Sequence, residues 1–228
     1  MALFQFKVQG ISKKGEFYYL SALCTKKSGM KFSAGQVAKV RPTKKSKDFA
    51  VLYFYSAPDE KGVKFVFDED GAVKQKLALL KKGATFYAEG PFGNFKLKKK
   101  SGTAIFFAKR LGVAPVRSMV SCLLSEKTKP TIYMFCEAST RAEIPDEDEL
   151  RALAKDKNVN LRFALLAENP LVWDGKLSEL SAQDLKGLRG AKSANYYVVG
   201  PITFVNRILV MLGEMRIPQK NISSEQWG

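Results

Sequence analysis

Apolar and polar positions follow two different rhythms along this chain. In the first hundred residues short runs alternate, or nearly alternate, between turn residues: 3–11 (LFQFKVQGI), 17–24 (FYYLSALC), 32–41 (FSAGQVAKVR, broken at Gly35), 49–56 (FAVLYFYS), 63–67 (VKFVF) and 84–89 (ATFYAE). Each predicts a strand. Between the last two, apolar residues over 72–80 fall at helical spacing after the acidic turn 68–71. Six short strands with one helix predict an antiparallel β-barrel, roughly residues 1–99. After Gly102 the rhythm changes. The continuous apolar run 103–108 (TAIFFA) predicts a strand buried on both faces, and Pro115 suits the first turn of the helix after it. Strands at 131–136, 160–166 and 195–199 then alternate with helices near 115–126, 146–155, 182–188 and 201–213, and the tail 221–228 offers one more strand. This pattern predicts an α/β doubly wound parallel sheet over 103–228.

Composition sharpens the picture. A length of 228 residues suits two small domains, and 46% hydrophobic residues suffice for packed cores. No apolar run approaches the ~18–20 residues needed to span a bilayer, and the N-terminus MALFQFKVQG has no leader pattern, so a cytoplasmic location is expected. Cys24, Cys122 and Cys136 are far apart and odd in number, which argues against a disulfide framework, a zinc site or an iron–sulfur cluster. The chain contains no histidine, so the commonest general base is missing; chemistry borne by a cofactor fits better than hydrolysis. Much of the net charge of +16 lies in clusters at Lys44, Lys45 and Lys47, at Lys81 and Lys82, and at Lys96 and Lys98–Lys100. These clusters read either as solvated loops or as a basic face for an acidic partner.

Two turns carry a family resemblance: Gly90-Pro91-Phe92-Gly93-x-Phe95, and Leu111-Gly112-Val113-Ala114-Pro115-x-x-Ser118. Their order and spacing resemble the ferredoxin–NADP reductase superfamily, whose members join a flavin-binding barrel to an NAD(P)-binding domain. The resemblance implies a flavin, FAD ahead of FMN, at the interface of the two domains. Tyr55 would pack the ring and Ser56 would bond its N5, with Tyr53 and Phe65 nearby and the phosphates close to Gly71, Ala72, Val73 and Lys74. It further implies a nicotinamide nucleotide beside Gly112, Val113, Ala114, Pro115, Thr140, Gly200 and Pro201, with Glu225 and Trp227 closing that side. Ser56, Glu225 and Trp227 are the implied catalytic residues, and no metal is expected. Tyr53 and Tyr55 also read as ordinary strand aromatics, and Gly112, Pro115, Gly200 and Pro201 as helix-start punctuation.

The chain departs from the family pattern where phosphate is held. Tyr53 stands in place of an arginine, and Lys74 in place of a hydroxyl. Lys109 and Arg110 replace two glycines, and Val199 replaces a cysteine thiol. Glu137 and Ser139 interrupt a Gly-x-Arg-Thr element, and an acid at Glu137 would repel a phosphate. The resemblance therefore implies a flavin-dependent oxidoreductase passing electrons between NAD(P)H, flavin and a separate acidic acceptor such as ferredoxin or flavodoxin. The alternative is a flavin-binding electron-transfer or scaffold protein that has lost direct NAD(P)H oxidation. Nucleic-acid binding ranks last, because no recognisable module for it is present.

Overall fold

The computed structural model describes residues 2–27, 29–98, 102–173 and 175–228. Lys99 and Lys100 of the third basic cluster lie outside the described residues. The chain divides into two compact units, Met1–Leu97 with Arg117–Cys122, and Lys98–Val116 with Leu123–Gly228.

The first unit contains β1 (Leu3–Lys14), β2 (Phe17–Cys24), β3 (Val37–Arg41), β4 (Ala50–Tyr53), β5 (Val63–Phe67), the helix α1 (Ala72–Ala78) and β6 (Thr85–Phe92). The six strands form one antiparallel sheet in the order β4-β3-β6-β1-β2-β5. Its edge strands approach at the isolated Phe54–Phe65 bridge rather than along a ladder, so the sheet is barrel-like without being closed. Alternation along the strands sends Phe6, Phe54, Phe65 and Phe86 inward to full burial, with Phe6 and Phe86 stacked at 5.3 Å. Phe65 is thus core, packed on Phe54 at 5.2 Å, and not a side chain presented to a ligand. β3 begins later than the sequence pattern suggests. Gly35 adopts φ 97 in a turn, and the buried Gln36 braces that turn by donating from Nε2 to the Gly93 carbonyl at 3.2 Å. β6 in turn runs on through Gly90-Pro91, pairing Phe92 with Val37.

The second unit contains β7 (Thr103–Lys109), α2 (Val113–Leu124, of which 117–122 belong to the first unit), β8 (Thr131–Ala138), α3 (Glu147–Leu153), β9 (Val159–Leu165), β10 (Asn195–Pro201), α4 (Ile202–Glu214) and β11 (Ile222–Trp227). Its five strands are parallel, in the order β11-β10-β7-β8-β9. β7 is central, and Ala104–Ala108 are all buried, as expected of a strand covered on both faces. The segment 182–188 forms only a 3-10 turn, Ala182–Leu185, closed by a reciprocal Ser181–Asp184 cap. Because the chain runs from β7 to β8 and β9 and then returns to β10 and β11, its direction reverses between β7 and β10. Among the described residues no helix is long and apolar enough to cross a membrane.

Candidate functional site

In the first unit the structure gathers Tyr55 and Ser56, at the end of β4, around the backbone of Lys64 on β5. The Tyr55 N–H donates to the Lys64 carbonyl at 2.8 Å, and the Lys64 N–H donates to Ser56 Oγ at 3.0 Å. Two residues from 117–122 complete the clamp. Arg117 donates to the Tyr55 carbonyl at 3.3 Å, and Ser118 Oγ donates to the Ser56 carbonyl at 2.7 Å. Arg117 also pairs with Glu60, whose other oxygen meets Lys64 Nζ at 3.2 Å. Burial pushes the Glu60 carboxyl up, but the Ala57 N–H and Arg117 outweigh it and hold the group below its usual range.

Ser56 is 1% exposed. Its hydroxyl oxygen is occupied by the Lys64 N–H, while its hydrogen meets no acceptor among the described residues. A buried donor with an open valence is uncommon and suits an acceptor atom of a bound ring. The Tyr55 ring has the Arg117 guanidinium 5.0 Å from its centroid and Tyr19 edge-on at 6.3 Å. It is 3% exposed, so a flavin stacked on it has to uncover one face.

The phosphate side is less well provided. Tyr53 is half-buried on β4 opposite Val37 and brings no charge. Lys74 Nζ lies 2.6 Å from Asp68 Oδ1, so its charge is already neutralised. Gly71 and Ala72 are exposed and Val73 half-buried at the start of α1, which has only seven residues. A separate cleft of about 430 Å³, lined in part by Phe6, Cys24, Met30, Phe32, Glu60 and Val63, does not include Tyr55 or Ser56.

In the second unit the carboxyl ends of the strands carry the remaining candidates. Gly112 is needed for packing: a Cβ there would collide with the Val199 carbonyl oxygen. Val113, Ala114 and Pro115 are buried in the first turn of α2, and Thr140 is half-buried after β8. Glu225 and Trp227 lie on β11 opposite Val199 and Pro201, and burial raises the Glu225 carboxyl above its usual range. Arg110 has φ 52, a left-handed conformation that favours glycine.

The organising group of this region is Glu137, which by sequence reads only as a repulsive charge. Its side chain is fully buried at the last β7–β8 pair, opposite Lys109. Oε1 meets Lys109 Nζ at 3.1 Å; Oε2 meets Arg207 Nη2 at 2.6 Å and accepts from the Leu180 N–H at 3.0 Å. Arg207 also donates to the Leu180 carbonyl at 2.7 Å, tying α4 to the loop after β9. Removing both cations would leave a buried charge uncompensated, at about 3–5 kcal/mol, whereas removing one leaves the other in place. Neither Arg117 nor Arg207 stands out in the sequence as a site residue. Arg117 had a signal, since it follows soon after the Ala-Pro turn; Arg207 lies in mid-helix and had none.

Comparison with known proteins agrees with this two-unit plan. Residues 111–209 match the family model described as the oxidoreductase NAD-binding domain. A ferredoxin–NADP reductase B of Sorangium cellulosum is 27% identical over 168 residues, covering 70% of this chain and 68% of that protein. The anthranilate 1,2-dioxygenase electron transfer component of Acinetobacter baylyi is 22% identical over 145 residues; there the match covers 64% of this chain but 42% of the relative. The FAD/NAD-binding domain of a nitric oxide dioxygenase from Vibrio cholerae superposes with a TM-score of 0.83 at 15% identity, covering 99% of this chain and 98% of that one, a likeness of fold. Together these findings support a relationship to the ferredoxin–NADP reductase superfamily, through the NAD-binding-domain model over 111–209 and the shared two-unit fold.

Proposed function

We propose that this chain is a flavin-dependent electron-transfer protein of the oxidoreductase class, handing electrons to a separate acidic acceptor of the ferredoxin or flavodoxin kind. The observation that carries the reading is the buried Ser56 hydroxyl, whose hydrogen lacks an acceptor among the described residues and which sits beside a clamped tyrosine. Names among the relatives, ferredoxin–NADP reductase and a dioxygenase electron transfer component, support the same class.

A flavin bound there, FAD ahead of FMN, would supply transfer of one or two electrons. Ser56 would donate its hydrogen bond to a ring nitrogen. Tyr55 would pack against the ring system, held in orientation by Arg117. Lys64, Ser118 and Arg117 keep the Tyr55–Ser56 backbone from shifting, so the donor is positioned before the ligand arrives. For the phosphates, Lys74 would have to exchange Asp68 for the ligand. The exposed lysines at 44, 45, 47, 81 and 82 supply positive charge suited to an acidic partner.

Absorbance of the purified chain, loaded with FAD or FMN and then desalted, tests the reading. Retained flavin bands are expected, weakened in Ser56→Ala and lost in Tyr55→Ala. A parent chain that retains neither flavin would overturn it.

A further inference from the structure

We infer that the crevice at the carboxyl ends of β7, β8 and β10 is closed, and that this chain takes no nicotinamide dinucleotide there. The inference deepens the electron-transfer reading by excluding one donor, and does not depend on flavin binding being correct.

Open parallel sheets receive nucleotides outside the carboxyl ends of their strands, where the strand order reverses. In this sheet that place lies between β7 and β10. It works as a phosphate site when main chain can approach the ligand and the amide groups of a helix start face it. Here side chains fill it. Gly200 already packs so closely that a Cβ there would stand 3.2 Å from Lys109 Cβ and 2.8 Å from the Phe204 ring. Phe204, in the first turn of α4, is 2% exposed. Lys109 Nζ lies 5.9 Å and Arg207 Cζ 5.6 Å from its ring centroid. Both cations converge on buried Glu137, which also accepts from the Leu180 N–H.

The result is a plug. Lys109 cannot turn outward to a phosphate without abandoning a fully buried carboxylate, and Arg207 is under the same constraint. Glu137 consumes the two cations that would otherwise favour an anion, and Phe204 takes up the volume.

Isothermal titration of the purified chain with NADH and with NADPH tests this directly, with flavin retention read separately from absorbance in the same sample. No saturable binding is expected up to about 1 mM, the upper end of ordinary half-saturation values. Saturable binding in the micromolar range would overturn the inference while leaving the flavin reading intact. The paired variant Lys109→Gly with Glu137→Gly removes both partners at once and leaves Arg207 and the Leu180 N–H facing the space. Where it keeps a cooperative melt, it should bind NADPH at least tenfold more tightly than the parent; a folded variant without that gain would show that the plug is not the cause. If the variant does not fold, titration of the parent still decides.

Discussion

Arg117 grips Tyr55 twice, donating to its carbonyl oxygen at 3.3 Å while the guanidinium lies 5.0 Å from the ring centroid. A single side chain thereby sets both the backbone and the ring of the residue proposed to face the flavin. Lysine at this position would keep the charge but lose the planar fork that permits both contacts.

Arg117→Ala should therefore destabilise the chain by roughly 1–3 kcal/mol, since it leaves the buried Tyr55 carbonyl without this donor and half-buried Glu60 with only Lys64 and the Ala57 N–H. Urea unfolding of the parent and variant measures this. Arg117→Lys should recover less than half of the loss, and a variant as stable as the parent would mean that the clamp carries no energy.

Arg110→Gly should behave in the opposite sense. A non-glycine residue at φ 52 costs about 1–2 kcal/mol, which sets relief of the backbone against the contacts of the side chain, the long one from Nη1 to Glu143 at 3.6 Å among them. The substitution should raise the melting temperature by a few degrees. A fall would show that the arginine side chain stabilises the turn more than its backbone strains it.

Gly112→Ala tests the close approach of the turn after β7 to β10. Its new methyl would meet the Val199 carbonyl, and overpacking of this kind costs about 1–3 kcal/mol. A lower denaturation midpoint is expected, and an unchanged midpoint would mean that the two segments can part freely.

Asp156 gives a prediction in pH. Lys129, at 2.6 Å, together with the backbone and side-chain N–H groups of Asn158, lowers its carboxyl to about 2 from an ordinary 3.8. A depressed carboxyl contributes stability that is complete above 3.8 and is lost as pH falls from there through about 2. Carbon-detected NMR titration should find this group still ionised at about pH 3, between those two values, and an ordinary midpoint would refute the arrangement. Asp156→Asn should flatten the acid limb of the stability curve over the same interval.

Much of the fold was legible because strand burial obeys simple periods. Alternation in 3–11 and 63–67 and the unbroken run 103–108 gave strands that differ from the observed β1, β5 and β7 by at most three residues at one end. The pattern was weaker where a turn intervened: Phe32–Gln36 reads as apolar alternation, yet Gly35 bends the chain there before β3 begins. At the site, the Tyr55–Ser56 pair was visible as a motif, but the groups that fix it come from Glu60, Lys64, Arg117 and Ser118. Ser118 closes the second motif and Arg117 sits beside it, but their convergence on Tyr55 and Ser56 depends on tertiary register, which no local pattern records. Glu137 is the sharper case. An acid at a strand end reads as repulsion when its partners are unknown, and those partners lie 28 residues upstream and 70 downstream.

The first unit is not finished when its last strand has been made. Its packing includes Arg117–Cys122, from a helix that begins in the other unit. A ribosome that has released only the first hundred residues has therefore delivered an incomplete body, lacking the arginine that pairs with Glu60 and the hydroxyl that caps the Ser56 carbonyl. Folding from the N-terminus, the usual order for successive domains, has to wait here until the turn after β7 has emerged. For the same reason, a fragment cut at the composition break near Gly102 would not be a shorter version of this unit, but one with a piece of its own core missing.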